Sequence, residues 1–407
     1  MNLSATNFRN TGSKVIFILF ALTLSFSCKE QIPVIDISDN ELFHKNKSHI
    51  ILPYSEVKAY FTDHDTAIFT YHGESVCYQL DDIDGDGTPD EWASNMKPCP
   101  DEPKTGVHFG KSEKHQGPVS AYGIFTLYGH RLPKNANFDL QTDGPSWENN
   151  LVGFRHYLDG RNGRDIFGKR DPEIILSEVG LTDTLTQTDN YHVLEPWGRD
   201  ILSVGNSLGA GGLAIKDDDK IVRLGITAAD SIDNVDSTMF RLINNGPVRA
   251  LFALNYYGWQ LSDRKIDVRQ IIEIWPDVHY YTNRVWLSNN KQNDTLVIGL
   301  VNNNNSNPPI FIDSLNSRII LATHDKQTYN KEYYLGMAIG IDTDQYSRFS
   351  EARYENTAIQ DSYLLFLNQP NEEPYKFHVF SGWELQNEVF IKKEDFINQV
   401  LNEFSDL

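Results

Sequence analysis

Short runs in which apolar and polar residues alternate recur along most of the chain, and they constrain its fold more than any other feature. A period of two is typical of strands that bury one face, and turn formers such as Asn245-Gly246-Pro247 separate the runs. Many short strands with little helix indicate stacked antiparallel sheets, so we predict an all-β fold, a large antiparallel β-sandwich of the supersandwich type. The runs are Glu74–Leu80, Ala121–Tyr128, Gly246–Leu254, Asp267–Ile274, His279–Leu287, Leu296–Val301, Tyr333–Ile341, Tyr363–Leu367 and Lys376–Gly382.

One amphipathic helix is predicted near the C-terminus. Phe396, Val400 and Phe404 recur at i, i+4 and i+8, with Ile397 and Leu401 beside them. This spacing places the apolar side chains on one helix face. We expect a short C-terminal helix that covers the sheet.

The first 27 residues have the features of an export signal. Arg9 and Lys14 precede the apolar run Val15–Phe26, which is too short for a permanent membrane span. Cys28 follows directly and is predicted to be the lipidated residue of an outer-membrane lipoprotein that faces the periplasm or the cell surface, with plain secretion as the alternative. Residues 28–48 are then a polar tether, and residues 49–407 form a single β-sandwich domain.

Export changes the meaning of the other cysteines. Cys77 and Cys99 are the two that remain in the mature chain, and an even pair in an oxidising compartment favours a disulfide bond. The alternative is two buried thiols.

An acidic, glycine-rich stretch lies between these two cysteines. Oxygen donors at alternate positions, with Gly87 at the sixth, match the start of a calcium-binding loop, although Ala93 replaces the usual glutamate at the twelfth. The stretch predicts a structural Ca²⁺ site, and the alternative is an acidic turn between strands. The predicted ligands are Asp82, Asp84, Asp86 and Asp90.

The formal net charge of −20 argues against nucleic acid and against an anionic membrane surface as partners. A local exception runs from Arg155 to Arg170, where five basic residues and two acidic ones give a net charge of +3. This segment is predicted to attract anions, unless it is an ordinary solvated charge run.

The segment from Trp147 to Gly212 is unusually dense in Trp, His, Arg, Lys and Gly. Its G-x-S-x-G match at Ser207 does not predict a serine hydrolase, because the following residues indicate strand, turn and strand instead of a strand-to-helix elbow. The twelve histidines show no zinc-binding spacing. His192 lies among turn formers and aromatic residues, where it is either a proton-transfer group or a structural histidine.

Four segments carry a resemblance to a known family: WENNLVGFRHYLDGRNGRDIFGKR, the stretch from YH to WGRDILSVGNSLGAGG, NNGPVRALFAL, and FHVFSGWEL. From about Ile50 onward the chain resembles bacterial lipoproteins catalogued as a domain of unknown function (4861), which belong to polysaccharide-utilisation clusters. One branch, in clusters for the algal polymer ulvan, looks like an oligosaccharide dehydratase. The resemblance implies an enzyme that removes water from a terminal uronic acid and leaves an unsaturated sugar.

Elimination next to a carboxylate needs that carboxylate neutralised, a base at C5 and an acid near the C4 hydroxyl. We predict that His192 is the base or acid with Tyr191 as its proton partner, that Arg199 and Lys169 hold the carboxylate, and that His378 is a further acid–base residue. The predicted substrate-binding residues are Trp147, Arg155, Trp197 and Trp383. An anionic oligosaccharide is the expected partner, and no organic cofactor is expected.

Two other functions stay open. A glycosidase needs two carboxylates that face one bond, for which Glu148, Glu195 and Glu384 are available. A non-catalytic glycan-capture lipoprotein would use the aromatic residues for binding while His192 merely packs.

Overall fold

The alternating runs form strands joined mostly by short turns. The computed structural model describes residues 32–43, 49–61, 66–113, 117–131, 140–227, 230, 232–291, 293–315, 317–352, 359–370, 374–405 and 407. The predicted signal peptide and Cys28 lie outside these residues.

Within the described ranges, strands dominate and helices are few. The strands are β1 (Val34–Asp36), β2 (Ile50–Pro53), β3 (Ile68–Tyr71), β4 (Glu74–Val76), β5 (Gln79–Asp81), β6 (Glu91–Ser94), β7 (Thr105–His108), β8 (Gly110–Ser112), β9 (Val119–Ala121), β10 (Ile124–Tyr128), β11 (Ser146–Asn149), β12 (Gly153–His156), β13 (Arg164–Lys169), β14 (Gly198–Asp200), β15 (Ala210–Asp217), β16 (Lys220–Arg223), β17 (Ser237–Asn245), β18 (Ala250–Gln260), β19 (Lys265–Ile274), β20 (Tyr280–Ser288), β21 (Thr295–Val301), β22 (Ile310–Leu315), β23 (Arg318–Asp325), β24 (Leu335–Asp342), β25 (Tyr346–Ala352), β26 (Ser362–Leu367) and β27 (Tyr375–Trp383). The α-helices are α1 (Tyr54–Val57) and α2 (Lys393–Ser405), and the 3-10 turns are Glu41–Phe43, Lys58–Tyr60, Gly129–Arg131, Gln141–Asp143, Thr343–Gln345 and Glu388–Ile391.

Three antiparallel sheets make the main sandwich. One layer is the nine-stranded sheet, in the order β10-β17-β18-β19-β20-β27-β24-β23-β22. The facing layer consists of two five-stranded sheets, β14-β13-β12-β11-β7 and β16-β15-β21-β26-β25. The layers share a core in which Trp147 and Phe154 of one layer contact Tyr281 of the other. The predicted all-β sandwich is confirmed.

Helix α2 packs on the outer face of the nine-stranded sheet, over β20, β27 and β24. Its Phe396 and Phe404 pack against Phe380 of β27. The glycines of β24 allow this close approach, since a Cβ at Gly340 would lie 2.5 Å from the Phe404 ring. The predicted C-terminal helix is confirmed. Neither α1 nor α2, the helices of the described residues, is long and apolar enough to cross a bilayer.

The N-terminal region is packed instead of extended. Strand β1 pairs with β3, and Ile37 and Phe43 are buried in a cluster that includes Phe69 and Trp92. The predicted tether is therefore wrong for residues 32–43, because apolar side chains at intervals bury part of this segment. The rest of the predicted tether, residues 28–31 and 44–48, lies outside the described residues.

A small sheet of β2, β6 and β5 lies against the outer face of the nine-stranded sheet beside α2. Cys77 and Cys99 form the predicted disulfide bond next to it. Cys77 belongs to the same buried cluster as Val248 and Phe380 of the large sheet. The bond thus closes a loop of chain against the face on which the candidate site lies.

Candidate active site

Adjacent strands place a row of polar side chains on the outer face of the nine-stranded sheet. Phe377 and Val379 of β27 point into the core, so His378 points outward. Glu273 of β19 lies opposite Thr282 of β20, and Thr282 lies opposite His378. The Thr282 hydroxyl oxygen and His378 Nδ1 are 2.9 Å apart. This hydrogen bond fixes the plane of the imidazole ring.

A cavity of about 200 Å³ lies above this row. Strand β2 bounds it on one side, and α2 approaches it on the other, where Phe404 contacts the rings of Tyr280 and His378. Sites for drug-sized ligands measure roughly 300–1,000 Å³, so this one has room for a single six-membered ring with its substituents. The walls are His49, Ile50, Ile51, Glu273, Trp275, Tyr280, Thr282, Lys376, His378 and Leu407.

Lys376 brings a positive charge to the cavity wall. It precedes His378 by two residues in β27 and therefore lies on the same face of the sheet. Its neighbour across the strands is Arg284 of β20. A cation, an imidazole and the Glu273 carboxylate thus surround one small space.

A buried ionic cluster holds Glu273 in position. The Arg249 guanidinium is fully buried and donates hydrogen bonds to Glu273 (2.6 Å), Glu91 (2.6 Å) and Asp81 (2.8 Å). Arg284 also pairs with Glu91. Because Asp81 and Glu91 belong to β5 and β6, the cluster fastens the small sheet to the floor of the cavity.

The cluster predicts a specific loss of stability in acid. Burial alone would raise the pKa of Glu91, but Arg249 and Arg284 outweigh it and lower the pKa from 4.5 to about 2. A carboxyl group with a lowered folded-state pKa contributes stability that is complete above pH 4.5 and is lost as pH falls towards 2. Urea unfolding between about pH 6 and pH 2.5 should show this decline, and Glu91→Gln should be less stable at pH 6 with a flatter profile. An equally steep profile in the variant would contradict the assignment.

His49 contributes an uncharged wall. Its ring stacks on Trp275, with centroids 4.3 Å apart and planes 15° apart. Burial, aided by the positive charges of Lys97 and Arg249, lowers the pKa of His49 to about 3. The imidazole is therefore neutral near pH 7, and Lys376 supplies the positive charge on this wall.

His192 lies on the opposite side of the sandwich. In β13, Ile166 points into the core and Phe167 points outward. Tyr191 packs on that outward side, with its ring 5.9 Å from Phe167, and the His192 ring lies 4.9 Å from Tyr191. His192 and His378 occupy opposite outer faces, so the two predicted imidazoles cannot serve one site.

The His192 side chain is half-exposed among carboxylates. Its Nε2 lies 3.0 Å from Asp189 and its Nδ1 3.6 Å from Asp200. Tyr329 donates a hydrogen bond to the His192 carbonyl oxygen, and the guanidinium of Arg199 lies 5.4 Å from the Tyr329 ring. His192 and Arg199 thus both lie against the Tyr329 ring, and two carboxylates surround the imidazole.

Arg199 already binds a carboxylate. Its guanidinium donates hydrogen bonds to Glu332 and Asn330, each at 3.1 Å, between the rings of Tyr329 and Tyr333. A substrate carboxylate would have to displace Glu332. The role predicted for Arg199 therefore requires that its ion pair with Glu332 break first.

Arg155 is buried in the layer beneath Tyr191. Its guanidinium hydrogen-bonds Asp165, Asp200 (2.6 Å) and the Tyr157 hydroxyl (2.6 Å). Burial, with Asp165 nearby, raises the pKa of Asp200 despite the positive charge of Arg155. The prediction that Arg155 binds substrate is wrong, because the side chain is 1% exposed and internal groups take its donors.

Lys169 and Glu148 form a buried ion pair. Lys169 also donates to the Glu173 carbonyl oxygen, and Glu148 accepts the backbone N–H groups of Ile175 and Leu176. The predicted roles of Lys169 as a carboxylate clamp and Glu148 as a glycosidase carboxylate are wrong, because the pair anchors the segment that follows β13.

Two tryptophans that were predicted to bind substrate are buried. Trp147 is fully buried in the core between the layers, where it contacts Phe252 and Tyr281. Trp383 is 3% exposed and packs on the backbone of Gly168. Both predictions are wrong, because the strands turn these indole rings inward.

Trp197 fits its prediction better. It is half-buried and lines a separate cavity together with Tyr191 and Glu195. The third predicted glycosidase carboxylate, Glu384, accepts the backbone N–H of Tyr334 and is not in that cavity. The three glutamates therefore do not converge on one bond.

Sequence reasoning missed most of the His378 cavity. It did not select Lys376, Glu273, Thr282, Tyr280 or Trp275. A usable signal was present, since Lys376 and His378 are alternate residues of one predicted strand and must share a face. The partners on β19 and β20 depend on strand order, which the pattern does not reveal.

The acidic loop has the shape of a cation site. One side-chain oxygen from each of Asp82, Asp84 and Asp86 lies within 4.8 Å of the others. The Asp90 carboxylate accepts hydrogen bonds from the backbone N–H groups of Ile83 and Asp84. Of the four predicted ligands three converge, and Asp90 instead closes the loop.

Comparison with known proteins places the chain in a family. The family model described as Domain of unknown function (DUF4861) matches residues 37–406. The chain belongs to the DUF4861 family. Its relative Uncharacterized protein P7 of Formosa agariphila is 25% identical over 209 residues. That alignment covers 48% of each protein, so the chain spans about half the length of this curated relative.

Solved structures resemble this DUF4861 chain only distantly. An α-mannosidase from Enterococcus faecalis is 9% identical with a TM-score of 0.36, over 86% of this chain and 42% of that one. A human-microbiome protein named as a kojibiose phosphorylase is 12% identical with a TM-score of 0.31, over 63% and 32% of the respective chains. Likenesses this low carry no argument about activity.

Proposed function

We propose that this protein is a carbohydrate-active hydro-lyase that eliminates water from the terminal uronic acid of oligosaccharides, as in the breakdown of an ulvan-like polymer. The observation that carries the proposal is the His378 cavity. It collects Lys376, His378, Tyr280 and Glu273 around a space that fits one sugar ring. The proposed site therefore differs from the one centred on His192.

The reaction requires a cation, a proton acceptor and a proton donor around one sugar ring. Removing the C5 proton beside a carboxylate builds up negative charge, which Lys376 would neutralise. His378 would accept that proton, and the Thr282 hydroxyl, 2.9 Å from Nδ1, would orient its ring. Tyr280 would protonate the departing C4 hydroxyl. The C5–H and C4–O bonds break, the C4=C5 bond forms and one water leaves.

The remaining groups would orient the ring. Arg249 keeps the Glu273 carboxylate in place, where it can accept hydrogen bonds from sugar hydroxyls. The size of the cavity favours a chain end over an internal unit. The proposed enzyme thus acts on terminal residues.

Incubation with a uronate-ended trisaccharide, followed by ultraviolet absorbance and mass, tests the proposal. Loss of one water with rising absorbance from the conjugated alkene is the expected result. Shortening of the chain without absorbance would identify a glycosidase instead. Binding without any chemical change would identify a capture protein. A reduced, carboxyl-free trisaccharide is the matched control and should not react.

We further propose that Asp82, Asp84 and Asp86 hold a structural Ca²⁺ ion. Arg241 and Arg269 donate hydrogen bonds to the Ile83 carbonyl oxygen, so the loop is fastened to the large sheet. Chelation should lower the melting temperature while turnover per folded molecule changes little, and Asp84→Asn should abolish the chelator effect. No change in melting on chelation would contradict ion binding.

We also propose that the protein is exported and tethered by a lipid on Cys28, at the outer membrane. The Cys77–Cys99 disulfide bond fits an oxidising compartment. Membrane fractionation of a Cys28→Ser variant tests this, because loss of the lipid should release the protein from the membrane. A variant that stays bound would contradict the tether.

A further inference from the structure

A second cavity, of about 270 Å³, lies on the other side of the sandwich. The segment 175–197 forms it above the outer face of β13. Trp197 and Tyr191 provide aromatic walls, and Glu178, Glu195 and Asn190 provide polar ones. Among the described residues that line it, none carries a positive charge.

One end of this segment is anchored by the buried Lys169–Glu148 pair. Glu148 accepts the N–H groups of Ile175 (2.8 Å) and Leu176 (2.5 Å). The Gln141 side-chain amide donates to the Val179 carbonyl oxygen at 2.8 Å. These hydrogen bonds fix the backbone of the segment at residues 175, 176 and 179.

The aromatic walls are held as firmly. The Arg155 guanidinium lies 5.3 Å from the Tyr191 ring, and the Asp200 N–H donates to the Tyr191 carbonyl oxygen at 2.9 Å. The Trp197 ring lies 6.1 Å from Phe167. Two backbone hydrogen bonds between residues 195 and 198 close a tight turn around Trp197. The cavity is thus formed before any ligand arrives.

We infer that this cavity is a second carbohydrate-binding site, which takes a neutral sugar unit. The half-buried indole of Trp197 offers an apolar plate for a sugar face, with a polar edge close by. The exposed carboxylates of Glu178 and Glu195 accept hydrogen bonds from hydroxyl groups. The same two charges repel a uronate, so the site selects against the acid that the His378 cavity would bind.

This site acts independently of the proposed reaction. It lies on the outer face opposite His378, so a terminal uronate bound there cannot place its neighbouring sugar here. It would therefore hold a different stretch of a long polymer or another glycan. Its existence does not depend on whether the protein is a hydro-lyase.

Titration with neutral hexasaccharides of glucose, xylose, galactose and rhamnose tests the inference, with calorimetry and intrinsic fluorescence as readouts. At least one should bind saturably, and Trp197→Ala should weaken that binding by about tenfold or more. Trp197→Phe, which keeps an aromatic ring on Phe167, should weaken it less. Glu195→Gln should bind a uronate-ended trisaccharide more tightly than the unaltered protein, because one of the two repelling charges is removed.

Two control variants show whether a loss of neutral-sugar binding is specific to the Trp197 cavity. Trp286→Ala removes another half-buried tryptophan on the opposite face and should leave neutral-sugar binding unchanged. His378→Ala should also leave it unchanged, which separates this site from the proposed reaction. Absence of binding by all four hexasaccharides, or equal affinity in folded Trp197→Ala, would overturn the inference.

Discussion

Replacing His378 with alanine should remove the unsaturated product almost completely. A proton-transfer group typically contributes about 10²–10⁴-fold to the rate, and His378 lines the ring-sized cavity beside Lys376. The initial rate of absorbance increase with a uronate-ended trisaccharide measures the effect. His378→Gln, which keeps a polar side chain beside Thr282, should fold normally and still lose the activity.

His192→Ala is the matched control. His192 is half-exposed on the opposite face, among the carboxylates of Asp189 and Asp200. Its removal should leave turnover within about twofold, because no described contact links it to the His378 cavity. Loss of product in His192→Ala with full activity in His378→Ala would move the reaction to the other face.

Replacing Arg249 with alanine should destabilise the protein strongly. Asp81 is a buried carboxylate that would lose its charge partner, and Glu91 and Glu273 would keep only Arg284. Breaking a buried ion pair on one side costs about 3–5 kcal/mol, because the remaining charge is left without compensation. Urea unfolding measures the change in free energy. Activity should fall as well, since Arg249 holds Glu273 at the cavity.

Two further variants provide reference values for the loss of stability in Arg249→Ala. Arg170→Ala removes an exposed arginine and should change the free energy of unfolding by about 0.5 kcal/mol or less. Arg249→Lys keeps the charge but loses the paired donors, so its cost should lie between the other two. A cost for Arg249→Ala as small as that of Arg170→Ala would contradict the role of the ionic cluster.

The fold class follows well from local sequence pattern. The run at residues 267–274 lies in β19 and the run at residues 279–287 overlaps β20, because alternation indicates which residues face a core. The spacing of Phe396, Val400 and Phe404 predicts the C-terminal helix equally well. These signals lie within a few residues of one another, so no knowledge of the tertiary arrangement is needed.

The region from residue 147 to 200 shows where such reasoning fails. Its charged residues predicted an exposed chemical site, yet Arg155, Lys169 and Glu148 lie on strands beneath a covering segment. Alternation cannot tell a solvent-facing charge from one buried under another layer. Ion pairing makes that burial tolerable, and the partners are distant in sequence, as Arg155 and Asp200 illustrate.

The His378 cavity could not be predicted from the sequence for a related reason. His378 becomes a neighbour of Thr282 and Glu273 only because β27 pairs with β20, although some ninety residues separate these two strands along the chain. Strand order of this kind is set by the packing of the whole sandwich. Of this row, His378 alone was predicted, and only as an additional acid–base residue.

The structure of inactive His378→Ala bound to a uronate-ended trisaccharide tests the central claim most directly. The account predicts the terminal uronate in the cavity above β19, β20 and β27, with its carboxylate within hydrogen-bonding distance of Lys376 Nζ. The C5 atom should face the space vacated by the imidazole. A uronate bound instead beside His192 and Arg199, with the His378 cavity empty, would contradict it.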